Sequence, residues 1–234
     1  MKRTSEQGRG ILDATAARDG GRRRFLRLHV AAAALSLTAL APGRGLAAER
    51  RTPPTPPGSV SRARFFRQCT ACQLCVNACP SRVLRPASGE YGPWALMLPV
   101  LDFRRGYCNY DCLVCGEVCP AGAIRPLTLE DKHLVSLGRV RFLRDLCVVT
   151  VKGENCGACA EHCPTLAVKM VPFRGRLTIP EVSPDLCVGC GACEHACPVE
   201  PDRAIVVEAL AVHETAKVLP KGREVERRVD DFGF

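Results

Sequence analysis

Beyond residue 60 the apolar positions fall mainly into short runs set between turn-forming and charged residues. Arg82-Val83-Leu84, Gly122-Ala123-Ile124, Leu166-Ala167-Val168-Lys169-Met170 and Arg203-Ala204-Ile205-Val206-Val207 each follow a proline closely enough to read as a short strand after a turn. Leu166 to Val171, a turn around Gly175, and Leu177 to Val182 predict a β-hairpin that leads straight into Asp185-Leu186-Cys187. The pattern near the N-terminus differs. Val30 to Ala41 is apolar for nearly all of its twelve residues, fewer than the roughly 20 that a membrane-spanning helix needs.

That run sits behind Arg22-Arg23-Arg24-Phe25-Leu26-Arg27 and ahead of the small residues Gly45-Leu46-Ala47-Ala48. A basic segment, a short apolar segment and a small-residue cleavage site are the three parts of a secretory signal, so residues 1–48 are expected to be an export signal cut after Ala47 or Ala48. The arginines followed by Phe25 and Leu26 look like the twin-arginine form, with Gly21 in place of the usual hydroxyl residue and Arg27 in place of lysine. Two other readings remain: an Ala-rich helix of a cytoplasmic protein, or an uncleaved tether. Residues 49–62, with Arg51-Thr-Pro-Pro-Thr-Pro-Pro at their centre, read as a stiff linker.

The 16 cysteines set the organisation of everything that follows. Cys69, Cys72, Cys75 and Cys79 have the spacing C-x2-C-x2-C-x3-C, ending at Pro80; Cys187, Cys190, Cys193 and Cys197 repeat it, ending at Pro198. Cys108, Cys112, Cys115 and Cys119 open with x3 and end at Pro120, and Cys147, Cys156, Cys159 and Cys163 open with x8 and end at Pro164. The first cysteines of successive groups lie 39, 39 and 40 residues apart, so one unit is copied along the chain and no cysteine is left over.

The spacing has a physical reason. A [4Fe-4S] cube presents four corners, and a short loop wraps thiolates onto three of them when they sit two residues apart. Small residues between them, Gly189, Gly191 and Ala192 or Gly157 and Ala158, let the loop run close and turn its amides toward sulfur. The fourth cysteine is carried off by a helix start, and in the bacterial ferredoxin pattern it ligates the other cube of a pair. Eight disulfides or paired zinc knuckles are the alternatives. Neither needs a proline after every fourth cysteine, and a three-iron centre at the x8 group also stays open.

Composition agrees with a metal-held fold. With 8 Phe, 3 Tyr and 1 Trp, the chain is poorly supplied for one large apolar core. The formal charge of +9 divides into +6 for residues 1–48 and +3 for the rest, so the body carries no basic stripe for nucleic acid. The expected fold is α+β: two ferredoxin-like dicluster units of short strands and helices around iron-sulfur clusters, at residues 63–135 and 136–212, with a charged tail at 213–234. In a tandem arrangement Cys69, Cys72, Cys75 and Cys119 share one cube, Cys108, Cys112, Cys115 and Cys79 the next, Cys147, Cys156, Cys159 and Cys197 the third, and Cys187, Cys190, Cys193 and Cys163 the fourth. A nested arrangement would pair the first group with the fourth; equal spacing does not separate the two.

Over residues 64–208, and in its signal, the chain resembles bacterial polyferredoxins, more narrowly the MauM/NapG group of ferredoxin-type proteins. The resemblance implies a periplasmic electron carrier with four [4Fe-4S] clusters and no substrate chemistry of its own. Such a carrier passes electrons from a membrane quinol-oxidising partner to a periplasmic reductase, or serves methylamine oxidation. A rival reading is an integral iron-sulfur subunit of a larger membrane oxidoreductase. Membrane association would then come through the partner or the uncleaved signal. Twin-arginine export carries folded cargo, which suits clusters built in the reducing cytoplasm. The Cys108-Asn109-Tyr110-Asp111-Cys112 stretch and the Cys147 to Cys156 gap depart from the commonest spacings.

The remaining candidates are weaker. His162 and His195 precede final cysteines by one and two residues and are read either as sulfur hydrogen-bond donors or as exposed helix-start residues. Arg104, Arg105, Tyr107 and Tyr110 are read as a docking loop for an acidic partner or as a solvated loop, and Trp94 as a packing residue. The chain shows no phosphate loop, dinucleotide fingerprint or hydrolase signature.

Overall fold

Ser61 opens the first helix, α1 (Arg62–Gln68), because its hydroxyl accepts the Arg64 amide at 3.2 Å. That helix presents Phe65, fully buried, to the core; burying such a side chain contributes roughly 1.5–3 kcal/mol. The structure is a computed structural model and describes residues 52–217, all within one compact unit. The export signal expected at 1–48 and the chain from 218 onward lie outside the described residues.

The elements after α1 are short, as the apolar runs require. In chain order they are α2 (Leu74–Ala78), β1 (Leu84–Pro86), β2 (Pro99–Leu101), α3 (Val114–Glu117), α4 (Leu129–Leu134), β3 (Val135–Phe142), α5 (Val148–Val151) and α6 (Ala158–Glu161). They are followed by β4 (Val168–Pro172), β5 (Thr178–Val182), α7 (Ala192–Ala196) and β6 (Ile205–Thr215). Three separate antiparallel pairs form the sheets: β1 with β2, β4 with β5, and β3 with β6.

One plan is used twice. Between the first and second cysteine groups β1 and β2 pair, with Leu84 opposite Leu101; between the third and fourth β4 and β5 pair, with Val168 opposite Val182. In each half a carbonyl just before the first of these strands accepts an amide from just after the second: Asp102 to Val83 at 2.7 Å, and Ser183 to Ala167 at 2.7 Å. The chain entering each half meets the chain leaving it, through Arg125 N–H to Gly58 in the first and through β3 against β6 in the second. The α+β class expected for the chain follows from these small mixed units, with one buried cluster around Phe65, Val83 and Ile124 and another around Val149, Val168 and Ile205.

Several local expectations change. The segment expected as a linker at 49–62 is buried from Pro53 to Ser59, because Pro54 and Gly58 carbonyls accept from Leu101 and Arg125 at 3.0 Å each. Gly122-Ala123-Ile124 forms no strand, although Ala123 and Ile124 are buried; the Arg64 guanidinium takes the Gly122 and Ala123 carbonyls instead. Residues 213–217, expected as the start of the charged tail, are bound into the fold. β6 continues to Thr215, and Ala216 and Lys217 donate to the Leu134 and Asp185 carbonyls. β6 also reaches the first half, where the His213 amide donates to Val60, so the two expected units at 63–135 and 136–212 share one strand.

His213 lies under this joint with its Nε2 3.0 Å from the buried Thr55 hydroxyl. Burial pushes its imidazolium down from the usual 6.5 to about 4. The unfolded chain therefore takes up a proton below about 6.5 that the folded chain refuses, so this contribution to stability is complete above that pH and is lost as pH falls toward about 4. In His213→Gln, the drop in urea midpoint between pH 7 and pH 5 should be smaller than in the parent; an equal drop would remove His213 from the acid response.

Candidate metal centre

The first and fourth ligand loops share one local geometry. In the fourth group Gly189 at φ +66° donates its amide to the Cys187 sulfur at 3.3 Å, and Gly191 at φ +79° opens α7. In the first group Ala71 and Gln73 take the same left-handed turns, φ 54° and 64°, and the Ala71 amide bonds the Cys69 sulfur. A side chain in this region costs about 1 kcal/mol or more. Gln73 is held there by its amide nitrogen on the Ala71 and Met97 carbonyls, at 3.0 and 2.6 Å. The glycines signalled the turn in the fourth group; nothing in Ala71 or Gln73 did so in the first.

The loops gather the thiols into rings. Cys69, Cys72, Cys75 and Cys119 line one cavity beside Phe65, Val118 and Ile124. Cys108, Cys112, Cys115 and Cys79 line a second with Val83, Leu84 and Leu101, and Cys147, Cys156, Cys159 and Cys197 a third with Phe142, Val199 and Ile205. The three cavities are close in size, about 300, 340 and 350 Å³. Cys187, Cys190, Cys193 and Cys163 form the fourth set: burial above all, then Cys190, Cys187 and Cys163, push the Cys193 thiol up. The final cysteine of each group thus crosses to the neighbouring ring, and Cys79 lies with the second group, away from Cys187.

The chemistry of these rings calls for a cation-bearing group. All sixteen cysteines are free, and Cys72 is the exposed one among them. Burial first, and the other thiols second, push Cys75, Cys115 and Cys159 up to about 12. Four buried thiolates repel one another; metal takes the place of the protons and supplies the missing counter-charge. Among the described residues no three His, Cys, Asp or Glu side chains are grouped tightly enough for a single ion; the thiols stand around the rims of the cavities. Apolar walls, four thiols per cavity and amide N–H groups aimed at sulfur fit an iron-sulfur cluster.

The two halves meet where the second and fourth rings come together. The Cys108 amide donates to the Cys190 carbonyl at 2.8 Å, and Tyr107 packs its ring 5.8 Å from that of His195. Arg104 pairs with Asp202 at 3.9 Å, and Tyr110 stacks on His133 at 3.9 Å. Of the expected docking loop, Arg104, Arg105 and Tyr107 stay exposed while Tyr110 is half-buried against His133. His162 turns its Nδ1 to the Ala158 carbonyl at 2.9 Å, the exposed helix residue of the two readings. Trp94, expected to pack, is 88% exposed, and Leu96 and Met97 are exposed beside it.

Comparison with known proteins agrees with these cavities. A family model described as a 4Fe-4S dicluster domain matches residues 68–123 and 154–200. The chain is 30% identical over 158 residues to the ferredoxin-type protein NapF of Escherichia coli K12, covering 68% of this chain and 86% of that one. It is 30% identical over 198 residues to the ferredoxin-type protein NapG of the same strain, covering 77% and 82%. The methylamine utilization ferredoxin-type protein MauM of Methylobacillus flagellatus is 34% identical over 148 residues, 61% of this chain and 62% of that one.

A Cβ on Gly191 would lie 1.9 Å from the Phe103 ring, whereas one on Gly153, also left-handed at φ +70°, meets nothing within 4 Å. Gly153→Ala should cost about 1 kcal/mol of stability from backbone conformation alone. Gly191→Ala should cost about 1–3 kcal/mol more from overpacking at the junction. Equal losses in urea titration would mean that the junction is loosely packed.

Proposed function

Because this chain belongs to the bacterial polyferredoxins, the ferredoxin-type iron-sulfur proteins, we propose that it is an exported relay holding four [4Fe-4S] clusters. Its role is electron transfer. Cys69, Cys72, Cys75 and Cys119 hold the first cluster in this reading, Cys79, Cys108, Cys112 and Cys115 the second, Cys147, Cys156, Cys159 and Cys197 the third, and Cys163, Cys187, Cys190 and Cys193 the fourth. When bound, each cluster takes up and returns one electron.

The observation that carries the proposal is the pairing of rings together with their junction. Crossed cysteines tie first to second and third to fourth, and the Cys108 amide on the Cys190 carbonyl joins second to fourth. The order along the molecule is then first, second, fourth, third, with exposed Cys72 at one end. The x8 group supplies its ring with three thiols plus Cys197, which favours a four-iron centre there over a three-iron one.

The partners are a quinol-oxidising membrane protein as donor and a periplasmic redox enzyme as acceptor, a reading supported by the twin-arginine pattern at Arg22 and Arg23 and by the likeness to NapG and MauM. A second reading, a tightly held subunit of a membrane oxidoreductase, draws on the exposed Trp94, Leu96 and Met97. Among the described residues no helix is long and apolar enough to cross a membrane.

Anaerobically purified protein should contain about 16 iron and 16 sulfide per chain. Zinc as the dominant metal, or quantitative disulfides, would overturn the proposal. In potentiometric EPR, Cys69→Ala and Cys119→Ala should disturb the same signal, and Cys108→Ala and Cys79→Ala a different one. Replacing Arg22 and Arg23 together by Lys should leave the protein in the cytoplasm; undiminished export would exclude the twin-arginine route.

A further inference from the structure

Among the described residues, Lys132 is the one charged side chain that is buried, at 4% exposure. It is carried by α4, whose start is fixed by the Thr128 hydroxyl accepting the Asp131 amide at 3.0 Å. A lysine is almost never this buried without partners. Its Nζ donates to the Asn109 and Tyr110 carbonyls at 3.4 Å each. It also borders a small cavity with Cys112, Cys115, Gly116 and Arg125.

Those two carbonyls belong to the Cys108 to Cys112 loop, the one that opens with three intervening residues where the first and fourth groups have two. The next residue of α4 holds the rest of that loop. His133 bonds the Asp111 carboxylate at 2.8 Å and lies flat against the Tyr110 ring, with 1° between the planes. So α4 grips all three residues of the longer loop, and the buried ammonium is the contact nearest the ligands. Burial pushes the Cys108 thiol up, and Lys132 opposes that push both as a charge and as a hydrogen-bond donor. The other cation at this cavity, Arg125, is exposed.

We propose that Lys132 is the fixed counter-charge of the second ring and raises the reduction potential of the cluster held by Cys79, Cys108, Cys112 and Cys115. The inference rests on the iron-sulfur reading above. Reduction adds one negative charge to the cluster, and a neighbouring cation at low dielectric stabilises the more negative form. The second ring touches both its partner ring and, through Cys108, the fourth. A raised potential there lengthens the stay of an electron at the ring that touches both halves.

The test is a potentiometric EPR titration of the full-length, cluster-loaded protein with dithionite as the one-electron reductant, comparing the parent, Lys132→Gln and Lys132→Arg. The second cluster's signal is identified as the one that Cys112→Ala removes. Lys132→Gln should shift its reduction equilibrium at least tenfold toward the oxidised form, a midpoint lower by about 59 mV, with the other signals unmoved. Lys132→Arg should stay within about threefold of the parent. Loss of that one cluster in the Gln variant, with retention in the Arg variant, would also support the counter-charge. Equal midpoints in the parent and Lys132→Gln would overturn it, as would an equal shift or an equal loss in both variants, which would mark a packing role. Absence of a cluster at the second ring in the parent itself would instead defeat the four-cluster reading.

Discussion

Sixteen thiols drawn into four rings, nearly all of them wholly or partly buried, are a state that this polypeptide does not favour alone. Burial and mutual repulsion push several of them up to about 12, so at neutral pH each ring is either a set of protonated thiols around a cavity or a set of thiolates around metal. The protein invests its local structure in that second state. Helices of four to seven residues and strands of three to eleven are too short to persist by themselves, and their cysteines stand at element ends where the chain turns toward a cavity. The two apolar clusters around Phe65 and Val149 are built partly from the cysteines themselves. Metal is then a structural member of the core as well as the electron carrier.

The repeated plan explains how such short pieces reach a defined arrangement. Each half places a strand pair between its two ligand loops, which fixes the distance over which the final cysteines cross. The halves then join where the Cys108 amide meets the Cys190 carbonyl and where Gly191 lets the fourth loop lie against the Phe103 ring more closely than any side chain would permit, while Gly189 does the same against Gly138 within the second half. The strand β6 closes the joint by running on from the second half to meet Ser61 and Val60 in the first.

What the amino-acid pattern made legible was which cysteines gather around each cavity and the hairpin between the third and fourth groups, because both depend on spacing and local turn chemistry. The Leu166 to Val182 hairpin appears with its turn at Gly175, as the alternation and glycine required. β3 was not legible: Gly138 interrupts its alternation, and the glycine is needed because a Cβ there would meet the Glu208 carbonyl and the Val207 side chain of β6 at 2.6 and 2.7 Å. Proline content made residues 53–57 look like a free linker, since composition does not say which carbonyls will find donors. The left-handed turns at Ala71 and Gln73, the exposure of Trp94 and the burial of Lys132 all depend on partners distant in sequence. No local pattern encodes them.

Diffraction at the iron edge from anaerobically grown crystals would locate the clusters and so read the crossed rings and their order. Four four-iron clusters are expected in a bent or straight row, the inner two flanking the Cys108–Cys190 contact, with Cys79 and Cys119 exchanged between the first pair and Cys163 and Cys197 between the second. Fewer than four clusters, or one bounded by both Cys79 and Cys187, would contradict this arrangement.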